Sequence, residues 1–304
     1  GFLSPLSQLR PGPEDAFDLG TPEQASKTIK QVSKLFGADL VGMCEFDERW
    51  VYTQRYARSS SEGKPEGLPV GLPENLQGVI VIGQAMDHDL VDTVPSALSG
   101  AAVGLGYSKD ALVLLATAQW LLNLGYLAVP SLNDTALAIP LAIQAGLGEY
   151  GRHGMVITRE FGPRVRFGKI FTNAPMAFDN QIEFGVTKFC ENCRKCTDAC
   201  PPKAIPDGEP SPVKLNLSSI SGVKKWSVDG EKCFSYWGKI VSDCMICMRV
   251  CPYNKDFTKF RHRIGLRLAS TKLRNIMLML NDLFDYGERL KPKAWWNGES
   301  RRRI

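Results

Sequence analysis

Apolar and polar positions follow helix and strand periods up to about residue 180 and then lose that order. Thr21-Pro22-Glu23-Gln24 sets a capping residue before proline at the first helical position and an acid in the first turn. That arrangement predicts a helix over residues 21–36. Residues 38–46 read as a strand, and residues 78–83 (GVIVIG) as a fully buried one. Between them, residues 58–75 are dense in Ser, Gly, Pro and Glu and read as a loop. A Gly- and Ala-rich stretch, 98–106, leads into a long apolar helix predicted over 108–124. Gly125 closes that helix, and residues 126–129 read as the next strand. Residues 139–146 are short and apolar. MVIT (155–158) and VRFGKIFT (165–172) predict a hairpin turned at Phe161-Gly162-Pro163. The β-α-β order of this half predicts an α/β (α+β) layer architecture.

Where the periodicity ends, the cysteines begin. The expected organisation is an irregular lead-in (1–20), an α/β domain (21–180), a cysteine-rich domain (181–258) and a basic helical segment (259–304) that packs back on the core. Composition adds little to this. With 304 residues, 44% of them hydrophobic and 23% charged, the chain can bury a core of ordinary size. The net charge of +5 is mild, and Arg301, Arg302 and Arg303 read as a solvated terminus. A nucleic-acid partner is therefore not expected. No apolar run reaches the roughly 18 residues of a membrane span, and residues 111–124, interrupted by Gln119 and Asn123, read as a buried helix. The chain begins at Gly1 rather than Met, which leaves room for an export signal already removed.

Eight of the nine cysteines lie between residues 190 and 251, and this clustering carries the chemistry. The first group is Cys190-x-x-Cys193-x-x-Cys196-x-x-x-Cys200-Pro201, the spacing of bacterial ferredoxins. There, three thiolates wrap one [4Fe–4S] cube and the fourth is turned away to the other cluster. The second group, Cys233 with Cys244-x-x-Cys247-x-x-x-Cys251-Pro252, is the same motif with a stretched first step. The crossover rule assigns Cys190, Cys193, Cys196 and Cys251 to one cluster, and Cys200, Cys233, Cys244 and Cys247 to the other. Paired zinc sites also use C-x-x-C, but they do not need the full run or its prolines. The ninth cysteine, Cys44, sits in an apolar strand pattern and reads as a buried hydrophobe. Two clusters make a wire for single electrons, and the remaining two-thirds of the chain must hold what the wire serves.

Two further segments narrow that role: NDTALAIPLAIQAGLGEYGRHGMVIT (133–158) and FGPRVRFGKIFTNAPM (161–176). With the two cysteine groups, they make the chain resemble the corrinoid- and iron–sulfur-dependent reductive dehalogenases over residues 25–296. The resemblance implies a nitroreductase-like, corrinoid-binding domain joined to a ferredoxin-like two-[4Fe–4S] domain. It implies a cobalamin-type cofactor that receives electrons from the clusters and cleaves a carbon–halogen bond, and a small organohalide substrate. It further implies a tyrosine proton donor with a cationic partner, matched here by Tyr107 (in GLGYS) and Arg166 (in GPRVRFGK). Arg164 and Lys169 are alternative partners, because Arg164 shares a strand face with Arg166. Gly146, Gly148 and Gly151 are positions where the backbone could approach a macrocycle. His153 and Lys169 are further candidate cofactor contacts, and Trp50 and Tyr52 candidate pocket walls. The family also implies a low-potential electron donor and a small membrane anchor subunit. Its location is the outer face of the cytoplasmic membrane when an export signal has been removed, and the cytoplasm otherwise.

Three other readings compete. Epoxyqueuosine reductase shares the corrinoid, the clusters and the architecture, but its aspartate donor beside a Tyr-His pair is not matched where Ser108 and Lys109 follow Tyr107. A non-catalytic iron–sulfur carrier would need no corrinoid. A corrinoid-activating protein would bind cobalamin without turning over halocarbons.

Overall fold

The computed structural model describes residues 9–58, 65–257, 259–284 and 286–299. The chain falls into two units that interleave in sequence. The first takes residues 1–84, 107–147 and 166–182, and the second residues 85–106, 148–165 and 183–304. The arginine tail at 301–303 lies outside the described residues.

In the first unit, helix α1 (Pro22–Leu35) begins where its signals lie. Thr21 Oγ1 accepts from the Gln24 amide while the Gln24 side chain accepts from the Thr21 amide, a closed capping box. Strand β1 (Leu40–Glu45) follows, then one turn of 3-10 helix at Glu48–Trp50. Strands β2 (Gln54–Arg58) and β3 (Pro65–Pro69) pair antiparallel. Residues 58 and 65–69 of the predicted loop are therefore strand, and local proline and glycine content hid the pairing. Strand β4 (Gly78–Ala85) is buried along nearly all its length, as its apolar run predicts.

Helix α2 (His88–Asp92) precedes helix α3 (Ala97–Asn123), which starts eleven residues earlier than the sequence indicates. Gly100, Gly104 and Gly106 each cost about 1 kcal/mol of helix propensity against alanine and mask the start. Reciprocal hydrogen bonds between Ser96 and Ser99, backbone amide to side-chain oxygen in each direction at 3.1 and 3.2 Å, cap it nonetheless. By length and composition alone α3 could cross a membrane. It carries Lys109 and Asp110, however, and buries Val113, Leu114, Ala118 and Leu121 against Met43, Ile80, Ile82 and Ile170. That is the pattern of a core helix, each large aliphatic side chain contributing about 1.5–3 kcal/mol.

The remaining strands are β5 (Ala128–Ser131), β6 (Glu149–Tyr150), β7 (Val156–Ile157) and β8 (Val165–Thr172), with helix α4 (Ala138–Gln144) after β5. The main sheet runs β1-β4-β8-β5, with β1–β4 and β5–β8 antiparallel. This corrects the expected 155–172 hairpin. Strand β7 pairs with β6, and the Phe161-Gly162-Pro163 turn closes only on a Thr158–Gly162 bridge. Strand β8 is buried at seven of its eight positions and takes an interior place in the main sheet. The lead-in is anchored as well: Arg10 exchanges hydrogen bonds with Gln119, and Tyr126 donates to the Phe17 carbonyl at 2.6 Å.

The second unit is built of short helices: α5 (Val186–Asn192), α6 (Lys195–Ala199), α7 (Gly230–Ile240), α8 (Ile246–Arg249), α9 (Phe260–Ala269), α10 (Arg274–Leu283) and α11 (Pro292–Trp296). Residues 85–106 belong to it through polar ties. Asn254 donates to Asp92 at 3.1 Å, and Arg249 and Arg289 donate to the carbonyls of Val94 and Thr93 at 2.9 and 3.1 Å.

Candidate functional site

Tyr107 lies in α3, half-buried, and Arg166 lies one residue into β8. The Arg166 guanidinium carbon stands 3.5 Å from the centre of the Tyr107 ring, a close cation–π contact. Asn133 Nδ2 donates to Tyr107 Oη at 2.8 Å. Because the phenol oxygen accepts from Asn133, its own proton is left to point elsewhere. A phenol beside a fixed cation, with its oxygen held by a donor, is an arrangement in which the anion left by proton donation is stabilised. Sequence reasoning missed Asn133, because an exposed asparagine after a strand reads as a turn former.

The alternatives to Arg166 separate. Arg164 is buried in the second unit, donates to the Lys255 carbonyl at 3.2 Å and stands over the Phe161 ring. Lys169 is fully buried and donates to the carbonyls of Leu132 and, at 3.1 Å, Ala136. It therefore pins the loop that presents Asn133. Burial brings its ammonium down to about 8, with Asp134 and Asp110 opposing that shift. Asp110, one helical turn after Tyr107, is pushed up to about 7 by burial, against the pull of Lys169 and Arg166. Trp50 and Tyr52 line the same loop: the Tyr52 amide donates to the Thr135 carbonyl at 2.9 Å and the Leu137 amide to that of Trp50 at 2.9 Å.

In the second unit the two cysteine groups fold together, and none of the eight is in a disulfide. Burial raises the Cys251 thiol, and the thiols of Cys190, Cys193 and Cys196 raise it further. Cys233 is raised by burial and then by Cys244 and Cys200. Cys196, Cys200, Cys233 and Cys247 pack in one small apolar cluster with Ala204 and Ile205. Cys247 feels Cys196 as well as Cys244, Cys233 and Cys200, so thiols of both expected ligand sets lie side by side.

A buried cation organises this region too, and it was not anticipated. Arg152 is 1% exposed. It donates to the carbonyls of Cys190 at 3.0 Å, Pro206 at 3.1 Å and Gly208 at 2.9 Å, and stacks on Trp226. Glu149 accepts from the amides of Phe184 and Val186, fixing the start of α5, the helix that carries Cys190. The GEYGRHG segment is thus a clamp for the first cysteine loop.

These observations give the comparisons their weight. Residues 189–254 match the 4Fe-4S double cluster binding domain. The tetrachloroethene reductive dehalogenase of Dehalobacter restrictus (strain DSM 9455 / PER-K23) is 38% identical over 306 residues, which is 89% of this chain and 55% of that protein. This chain is a homologue of the reductive dehalogenases. A solved reductive dehalogenase, described with a mechanism for B12-dependent dehalogenation, matches with a TM-score of 0.77 at 25% identity over 93% of this chain and 40% of the other. The epoxyqueuosine reductase of Lactococcus garvieae (strain Lg2) matches at 30% identity over 42% of this chain and 36% of that protein. This dehalogenase homologue spans about half the length of the curated relatives it matches.

The residues present fit both groups of cofactors that the resemblance implies. Eight thiols in two neighbouring sets suit two cubes. For a corrinoid, whose rim carries amides that donate and accept, the first unit offers buried polar atoms without a protein partner: Trp50 Nε1, Gln144 Oε1 and Arg166 Nε. His153, in the second unit, is buried and burial lowers it to about 4, so the ring is neutral. Its Nδ1 accepts from the Met155 amide, which places the ring proton on the unpartnered Nε2. The three candidate glycines have packing reasons of their own. A side chain at Gly146, Gly148 or Gly151 would strike Asn180 O, Ile157 O or the His153 ring at 2.5, 2.3 and 2.8 Å.

Proposed function

We propose that this chain is the catalytic portion of a reductive dehalogenase. It would replace the halogen of a small organohalide by hydrogen, taking up two electrons and one proton and releasing halide. The observation that carries this reading is the Arg166–Tyr107–Asn133 arrangement in a homologue of dehalogenases. Tyr107 donates the proton to carbon, Arg166 stabilises the phenolate left behind, and Asn133 holds the phenol oxygen in place. The eight cysteines Cys190, Cys193, Cys196, Cys251, Cys200, Cys233, Cys244 and Cys247 hold the two clusters, which pass electrons singly from a low-potential donor. A bound corrinoid supplies the cobalt centre that reduces the carbon–halogen bond. Trp50, Gln144 and Arg166 of the first unit would meet its rim. The epoxyqueuosine reading has less support, since two epoxyqueuosine reductases match at 30% identity over 42% and 51% of the chain, against 38% over 89% for the Dehalobacter restrictus dehalogenase.

The test is anaerobic reconstitution with iron, sulfide and cobalamin, followed by cofactor analysis and halide release from a panel of organohalides with a low-potential dye. About eight irons, one cobalt and released halide are expected. Tyr107→Phe should slow halide release by about 100-fold or more while both cofactors stay bound. Full iron loading without bound cobalt would reduce the chain to an electron carrier.

A further inference from the structure

Behind Tyr107 and Arg166 lies a buried carboxyl that the proposed reaction does not use. Asp110 is 2% exposed, and its Oδ1 has no hydrogen-bond partner. It sits one turn beyond Tyr107 on α3, on the same helical face. It rests directly on the backbone of Gly168, where an added Cβ would lie 2.5 Å from Oδ1. On β8, Arg166 lies two residues before Gly168 and Lys169 directly after it, and these are the two cations that act on the carboxyl. Lys169 in turn faces Asp134 from the loop after β5. A buried carboxyl with an unpartnered oxygen, packed against a glycine and acted on by the cation that covers the tyrosine, is poorly explained as packing.

We propose that Asp110 is a positioning residue that sets the acidity of the Tyr107 phenol through its charge beside Arg166. With Asp110 protonated, the Arg166 charge is uncompensated and the phenol is at its most acidic. With Asp110 ionised, part of that charge is answered, and the phenol holds its proton more tightly. Burial places the crossover near neutrality, at about 7. If Tyr107 donates the proton, as the proposed function has it, turnover is faster below that pH and declines through it.

The phenol can be followed without any turnover. Tyrosine labelled with carbon-13 at Cζ, with Tyr107→Phe to assign its resonance, reports the Tyr107 ionisation in the cluster-loaded protein. In Asp110→Asn, which keeps the shape and removes the charge, that ionisation should move down by about one pH unit. The neutral limb of the rate profile should vanish. A second variant guards against misfolding of the first. In Lys169→Gln the carboxyl loses a stabilising cation, so the small inflection near pH 7 in the Tyr107 resonance should move up by about one unit. A Tyr107 resonance that titrates identically in wild type and Asp110→Asn, or an inflection unmoved in Lys169→Gln, overturns the proposal. A shifted resonance with no halide released from any organohalide would uphold the Asp110–Tyr107 coupling and sink the dehalogenase reading instead.

Discussion

The two units solve the same problem with different materials. Each presents a loop whose carbonyls are gathered by one buried cation: Arg152 for the 206–208 loop, which it ties to Cys190, and Lys169 for the loop that carries Asn133. The second unit draws its cysteine ligand set from 62 consecutive positions, between Cys190 and Cys251, on helices mostly too short to be stable alone. The first unit draws Tyr107, Asn133 and Arg166 from three distant segments and relies on a sheet and a long helix to bring them together. A cluster can organise its own short loop, because metal binding contributes to folding. A tyrosine, an asparagine and an arginine cannot, so their scaffold must exist first.

The largest expected effect breaks the comparison at its metal side. Cys251→Ala, at the ligand shared across the two motifs, should remove one cluster and lower bound iron from about eight to about four. The second unit should become prone to proteolysis, while the first keeps its fold. Iron analysis together with limited proteolysis checks this. Unchanged iron content would mean that the crossover grouping is wrong.

Arg152→Met comes next. It leaves several buried carbonyls without a donor and removes the stacking on Trp226. The expected loss is on the order of 3 kcal/mol or more, read as a lowered Tm with cluster loss preceding global unfolding. Lysine at this position should rescue little, since it lacks the planar fork that reaches several carbonyls at once.

On the other side, Asn133→Ala should leave both cofactors bound and slow halide release by about tenfold, the worth of one hydrogen bond to the phenol oxygen. Comparing it with Tyr107→Phe separates holding the donor from being the donor. Equal effects would place Asn133 in the proton transfer itself.

The same contrast explains what the sequence could disclose. The cysteine runs were legible because ferredoxin spacing is local, and the capping box at Thr21 because caps are local. The start of α3 was not, because three glycines argue against helix while the Ser96–Ser99 cap argues for it. The 155–172 hairpin failed for a different reason. Strand neighbours are chosen by burial across the sheet, and an apolar run such as β8 does not say which strand it will join. Arg166 and Arg164 sit two residues apart, and the sequence could not choose between them. In the structure Arg166 covers Tyr107 and Arg164 donates to the Lys255 carbonyl, which is what favours Arg166 for the proposed role.

The smallest effect follows from the choice of cation. Arg152 is held by carbonyl oxygens, which do not titrate, so the second unit's clamp has no ionising partner. The first unit instead holds two groups with displaced ionisation. Asp110 is raised to about 7 from 3.8, so the stability it contributes is fully present below its unfolded value and lost as pH rises through 7. Lys169 is lowered to about 8 from 10.5, so its contribution is present above its unfolded value and lost as pH falls through 8. Together they predict a shallow minimum in the first unit's stability between pH 7 and 8. Apparent Tm at a fixed scan rate, measured across pH 5 to 10 in wild type, Asp110→Asn and Lys169→Met, resolves the two arms. The asparagine variant should lose the acid-side slope and the methionine variant the alkaline one, and a profile flat across neutrality in wild type would mean that neither group is as desolvated as its burial implies.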